Sequence, residues 1–163
     1  MTCVLAWTDK TGGYIVSDRR VVTDGGTLTS DRQSKCWSSE DESITVAYSG
    51  DVGVAQAWIR KLSEGVGLIE SLPGGEGAPA FNFVAYDSVG GKLYHGDASS
   101  FLIVRHELTG IGSGAAFALG YIAGTGKKVT PDIARKAIRA CSKTDLSVSA
   151  TSDITFIERQ RKR

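Results

Sequence analysis

Cleaving an amide needs an activated nucleophile, a proton carrier and donors for the oxyanion that develops on the attacked carbonyl. In this 163-residue chain, Thr2 supplies the first two by itself once Met1 is removed. Its hydroxyl attacks while its own α-amino group, with a pKa of about 7.7 to 8.0 in free peptides, takes the proton directly or through a water. The small side chain of Thr2 favours removal of Met1 by methionine aminopeptidase. A nearby lysine lowers the pKa of that amine and hydroxyl by its charge, and a buried aspartate can hold the lysine in place. Those needs single out Lys35 and Asp18. Taken singly, each has an ordinary reading: Thr2 as an edge-strand residue, Asp18 as a turn acid, Lys35 as a solvated strand lysine, and Gly112-Ser113-Gly114 as a flexible helix entry. Their order and spacing as a set carry the argument.

The elements that must position them follow from apolar spacing. Cys3 to Trp7 is a short apolar run, Thr8 to Gly13 is rich in turn formers, and Tyr14 to Asp18 resumes as a strand. Residues 3 to 18 therefore read as a hairpin whose two ends lie close together. Thr23 to Ser30 reads as a Gly- and Thr-rich loop, and Gln33 to Trp37 as a short strand carrying Lys35. Ile44 to Tyr48 alternates and stops at the turn Ser49-Gly50. Asp51 is then a suitable N-cap for a helix with Val52, Ala55, Ile59 and Leu62 on one face.

Gly65 to Ala80 reads as a loop with a brief helical piece around Leu68 to Leu72, before strands over Phe81 to Asp87, Lys92 to His95 and Phe101 to Val104. Gly112-Ser113-Gly114 opens a second helix. Thr130-Pro131-Asp132 starts a third, with a hydroxyl at the N-cap, proline at the first position and an acid at the positive end of the dipole. Strands near Leu146 to Ser149 and Ile154 to Glu158 close the chain. Such grouping, without regular βαβ alternation, predicts an α+β layered domain.

On these motifs the sequence resembles the proteasome β-subunit family and, more closely, bacterial HslV, along nearly its whole length. Thr2 to Asp18 has the family's spacing from nucleophile to aspartate, and Asp18-Arg19-Arg20 is similar to its Asp-Arg-Arg. Lys35 falls one residue later than the family's lysine; Ile44 to Gln56 is similar to its substrate strand and first helix; Ile111 to Gly114 resembles its Gly-Ser-Gly helix entry. The resemblance implies an α+β, four-layer αββα sandwich of the N-terminal-nucleophile (Ntn) hydrolase type over residues 1–158, followed by a basic tail at 159–163. It also implies a threonine peptidase with catalytic Thr2, Asp18, Lys35 and Ser113, a substrate and oxyanion strand at Ala47, Ser49 and Gly50, and support from Asp145 and Ser147. Implied partners are copies of the chain in a homo-oligomeric ring, an ATPase unfoldase and unfolded polypeptide substrate, with a monovalent cation near Thr144, Ser147 and Ala150. The sequence departs from the family where many members carry an aspartate and then a serine beside the nucleophile: Ser147 and Ala150 stand there, with Asp145 two residues earlier. A catalytically silent assembly subunit that keeps the fold is the competing reading.

Composition limits the alternatives. With 19 basic and 18 acidic residues the net charge is +1, so no nucleic-acid partner is expected. Four of the basic residues, Arg159, Arg161, Lys162 and Arg163, crowd the end of the chain and read as a solvated tip. The odd, widely spaced Cys3, Cys36 and Cys141 suggest neither a disulfide framework nor a metal site, and fit a reducing compartment. No run is long and apolar enough for a membrane span and no secretory leader is recognisable, so a cytoplasmic location is expected.

Overall fold

Alternate residues of the first strand face two different cores. In the computed structural model, β1 (Val4–Thr8) turns Leu5 and Trp7 to one side, and Val4 and Ala6 to the other. It pairs antiparallel with β2 (Gly12–Asp18), as the apolar pattern predicts, around a turn in which the Asp9 carboxylate accepts from the Thr11 N–H at 2.7 Å. The structure describes residues 2–22, 28–68, 70–72, 81–97, 101–103, 108–146 and 148–160, with the side chains of 28, 29 and 101–103 outside that description.

The hairpin forms the centre of a four-stranded antiparallel sheet completed by β10 (Leu108–Ile111) beside β1 and β11 (Ser152–Glu158) beside β2. A second, five-stranded antiparallel sheet runs in the order β5 (Cys36–Ser38), β6 (Ile44–Gly50), β7 (Phe81–Asp87), β8 (Lys92–Asp97) and β9 (Phe101–Ile103). Val4, Ala6 and Ile15 of the first sheet meet Ala47, Val84 and Tyr86 of the second in a core between the sheets. On the outer face of the first sheet, Cys3, Leu5, Trp7 and Val16 pack against Ala118 and Ile122 of α2 (Ala115–Gly124), and Ala134, Ala137, Ile138 and Cys141 of α3 (Pro131–Cys141). On the outer face of the second, Val46, Tyr48, Phe81, Phe83 and Ala85 hold Ala55 and Trp58 of α1 (Val52–Ser63). The layers are therefore helix, sheet, sheet, helix: the expected αββα sandwich.

The helix starts behave as their sequences predict. The Asp51 carboxylate accepts from the Val54 N–H, and the Thr130 hydroxyl accepts from the Ile133 N–H ahead of Pro131. Four expectations are revised. The strand expected over Gln33 to Trp37 begins only at Cys36, so Lys35 stands just before β5 rather than on it. Val21–Val22 (β3) and Leu28–Ser30 (β4) pair as a short ribbon, so the stretch expected as a loop ends in a strand. The strand expected near residues 146 to 149 is absent among the described residues, which turn with Val148 N–H on the Asp145 carbonyl. The piece expected to be helical around Leu68 to Leu72 is a set of turns among its described residues. Strand β10 escapes sequence reading because it is four residues long, contains Gly110, and is defined mainly by its pairing with β1. No helix among the described residues is long and apolar enough to cross a membrane.

Arg159 and Gln160 are tied into the sandwich: their N–H groups donate to the Thr11 and Ser88 carbonyls at 2.9 and 3.0 Å. The remainder of the basic tip, 161–163, lies outside the described residues. Truncation after Gln160 is expected to change unfolding free energy by no more than a few tenths of a kcal/mol. Truncation after Glu158 removes both bonds and should cost about 1–2 kcal/mol in urea unfolding.

Two glycines at the entry to and along α2 should respond oppositely to alanine. Gly120 has open space around a would-be Cβ, so Gly120→Ala should stabilise by about 0.5–1 kcal/mol. Gly112 has φ +90° and a Cβ there would lie 2.1 Å from the Thr2 carbonyl oxygen, so Gly112→Ala should cost about 1–3 kcal/mol from backbone strain alone. Urea melts of the two variants should therefore move in opposite directions.

Candidate active site

Asp18 closes β2 with its side chain fully buried. One carboxylate oxygen accepts from Lys35 Nζ at 2.8 Å and from the Cys3 N–H at 2.9 Å. The other accepts from the N–H groups of Arg20 at 3.0 Å and Ser149 at 3.1 Å. A carboxylate removed from water costs several kcal/mol unless such donors replace its hydration, and here four do so. The four donors come from the start of β1, the exit of β2, the approach to β5 and the loop after α3. Asp18 also donates its own N–H to the Cys3 carbonyl at 3.0 Å, closing a reciprocal pair with that residue.

Lys35 is 2% exposed, an unusual state for an ammonium group. Its carbonyl accepts from the Tyr48 N–H at 3.3 Å, which fixes the residue to β6. Burial pushes the Lys35 ammonium toward losing its proton, and the Asp18 carboxylate opposes that shift. The result is a buried ion pair in which the carboxylate holds the ammonium against the cost of its burial.

Thr2 adjoins this pair through Cys3. It is 5% exposed, and its carbonyl accepts from the Gly114 N–H at 3.3 Å. The left-handed backbone at Gly112 lets the turn before α2 lie directly against the Thr2 carbonyl, where any side chain would collide. The same would-be Cβ lies 3.0 Å from Ser49 Oγ, so Ser49 of the second sheet reaches this point too. Ser113, between the two glycines, donates its hydroxyl to Asp145 Oδ2 at 3.0 Å.

The substrate-strand residues divide by geometry. Because Tyr48 directs its N–H to Lys35, alternation along β6 turns the Gly50 N–H to the same side and those of Ala47 and Ser49 toward β7. Strand β5 begins at Cys36 opposite Ala47, so no β5 residue faces the Gly50 N–H, and Gly50 itself has φ +112°. Ala47 is fully buried between the sheets. Of the residues expected near a cation, Thr144 turns its hydroxyl to the Cys141 carbonyl, Ala150 is exposed, and Ser147 lies outside the described residues. The Leu146 carbonyl in that loop accepts from the Arg20 guanidinium.

Two contributors are invisible to sequence reasoning. Ser149 and Cys3 act on Asp18 through backbone N–H groups, which almost any residue possesses. Only the proximity of the chain's last segment to the expected site hinted at Ser149.

No protein-family model matches this sequence, and no curated protein matches it either. Solved structures do. Eukaryotic HslV from Trypanosoma brucei superposes with a TM-score of 0.78 at 16% identity, covering 96% of this chain and 99% of that one. A Gly-1 mutant of Anbu from Hyphomicrobium sp. strain MC1 superposes with a TM-score of 0.76 at 14% identity, covering 97% and 82%. The fold is HslV-like.

The asymmetry of the Asp18–Lys35 pair sets an expectation for stability. Asp18→Ala leaves the Lys35 amine and three N–H groups without their acceptor and should cost about 3–5 kcal/mol. Lys35→Met keeps much of the volume and leaves Asp18 its three backbone donors, so its cost should be smaller. Chemical unfolding of both variants tests the order; a larger loss for Lys35→Met would show that the ion pair, rather than the backbone donors, stabilises Asp18.

Proposed function

We propose that this HslV-like chain is a threonine peptidase subunit whose nucleophile is Thr2 after removal of Met1. The observation that carries the reading is the buried Lys35–Asp18 pair joined to the chain start by the Cys3 N–H. A simple packing role does not call for an ammonium group that is 2% exposed and paired with a fully buried carboxylate. In the proposed reaction the Thr2 hydroxyl attacks the substrate carbonyl, and its proton passes to the α-amine directly or through a water. The Lys35 charge, held in place by Asp18, favours loss of that proton from the hydroxyl. The Gly50 N–H is the proposed oxyanion donor, being the β6 N–H turned to the Lys35 side beyond the start of β5. Ser113 and Asp145 are proposed to orient the α-amine. The C–N bond breaks as the leaving amine takes the proton, and water then hydrolyses the ester on Thr2.

Self-assembly into a ring, with unfolded polypeptide as substrate and an ATPase unfoldase as partner, belongs to the same proposal. The outer face of α2 supports association: Ala116, Phe117, Gly120 and Tyr121 are exposed and uncharged, with Phe117 at 45%. The competing reading is a silent assembly subunit that keeps the fold.

The test uses protein whose mass establishes that it begins at Thr2. Covalent labelling by an electrophile that traps N-terminal threonines is expected, with a rate that rises with pH as the α-amine loses its proton, at a pH below the roughly 7.7 to 8.0 of a free peptide because of the Lys35 charge. Thr2→Ala should abolish labelling and peptide hydrolysis, and Lys35→Ala should cost nearly as much, because groups acting as one unit give non-additive losses. Absence of labelling and hydrolysis on such protein, assembled and supplied with an activator, would favour the silent subunit.

A further inference from the structure

Cys3 and Cys141 stand 138 positions apart in sequence, and each is fully buried in the core between the first sheet and α3. Both belong to one apolar cluster, and both side chains converge on Gly114. The Cys141 thiol in turn donates to the Gly114 carbonyl at 3.6 Å. Gly114 makes room for the pair: a Cβ there would lie 2.6 Å from Cys141 Sγ and 3.0 Å from Cys3 Cβ. Packing alone would be served by aliphatic side chains and an alanine, whereas this site brings two cysteines together beside a residue with no side chain.

We propose that Cys3 and Cys141 form a reversible intrachain disulfide when the protein meets a peroxide, making the pair an oxidation site beneath the chain start. One thiolate attacks a peroxide oxygen, the O–O bond breaks, and a sulfenic acid forms with release of water. The second thiol displaces a further water from that sulfur, forming the S–S bond. Overall two thiols lose two electrons and two protons, and one hydrogen peroxide becomes two waters.

Access is the constraint on rate. Burial, with the neighbouring thiol and Asp18 adding to it, pushes the Cys3 thiol well above its ordinary range, and burial raises Cys141 as well. Thiolate is therefore scarce at neutral pH, and oxidation should accelerate on going to alkaline pH. Cys3 is tied to Asp18 through both its N–H and its carbonyl, so access requires local opening of that junction, and a small uncharged peroxide enters more readily than a bulky disulfide reagent. The bond would tie the residue after Thr2 to the end of α3, so it would fix the Cys3 N–H that Asp18 accepts. Its influence on peptidase activity rests on the proposed function; its formation does not.

The experiment treats the intact protein with hydrogen peroxide, blocks remaining thiols, and maps peptides without reduction. Cys36, half-buried on β5, is the internal comparison. The expected result is a Cys3–Cys141 linked peptide accompanied by loss of two hydrogens, faster at alkaline than at neutral pH and reversed by dithiothreitol. Cys36→Ser should retain the link, while Cys141→Ala should abolish it and leave Cys3 unlinked. Because the closed loop spans most of the chain, the oxidised protein should unfold at a higher temperature than the reduced one. Oxidation confined to Cys36, or a Cys3–Cys141 link that forms only in denaturant, would overturn the proposal. Neither result depends on Thr2 being a nucleophile.

Discussion

The Asp18 carboxylate is the constraint on which the site depends. It is a buried acceptor served by four donors from separate parts of the chain, and those donors determine where the parts can lie. The start of β1, the exit of β2, the approach to β5 and the loop after α3 converge because an ion out of water needs every one of its lone pairs occupied. Two sheets and the α3 loop are thereby registered at one end of the sandwich, with Thr2 placed at that junction. The site and the fold are coupled through the same oxygen atoms.

Around that junction, small residues permit what larger ones would forbid. Gly112 brings the turn before α2 onto the Thr2 carbonyl, and Gly114 leaves space for the Cys3 and Cys141 thiols. The price is backbone freedom, and the remainder of the sandwich offsets it. Leu5, Trp7 and Val16 against α2 and α3, and Phe81, Phe83 and Trp58 on the opposite side, bury the apolar surface that stabilises a domain of this size. The polar junction lies at the edge of these cores, where strands end and backbone N–H groups become available. Interior strand positions cannot supply such groups, since the ladder already uses them, as Ala47 illustrates.

The likeness to HslV and Anbu at 14–16% identity has a physical basis in this arrangement. A four-layer sandwich needs apolar alternation along its strands and one apolar face on each helix, requirements that many sequences meet. Fold is therefore shared where sequence is not. Chemistry is a stricter demand, met only by particular side chains at the junction, and so the enzymatic reading rests on Lys35, Asp18 and Thr2 rather than on the superposition.

What the sequence determined by itself was local. Short apolar runs bounded by turn formers marked β1, β2, β6 and β7; Asp51 and Thr130-Pro131 marked the starts of α1 and α3; and the needs of amide cleavage singled out Thr2, Asp18 and Lys35, with Ser113 added by the family resemblance. These features depend on covalent geometry and nearest neighbours, which a sequence contains. Tertiary structure alone decided that β10 is a strand, since its pairing with β1 defines it, and that residues 146 to 149 are not. It also decided that Ser149 and Cys3 hold Asp18 through their backbone, that the Tyr48 N–H reaches the Lys35 carbonyl and so leaves the Gly50 rather than the Ala47 N–H on the β5 side, and that two cysteines 138 positions apart meet at Gly114. Each of these outcomes depends on which distant groups the burial of a charge or an apolar face forces together, and spacing along one chain does not encode that directly.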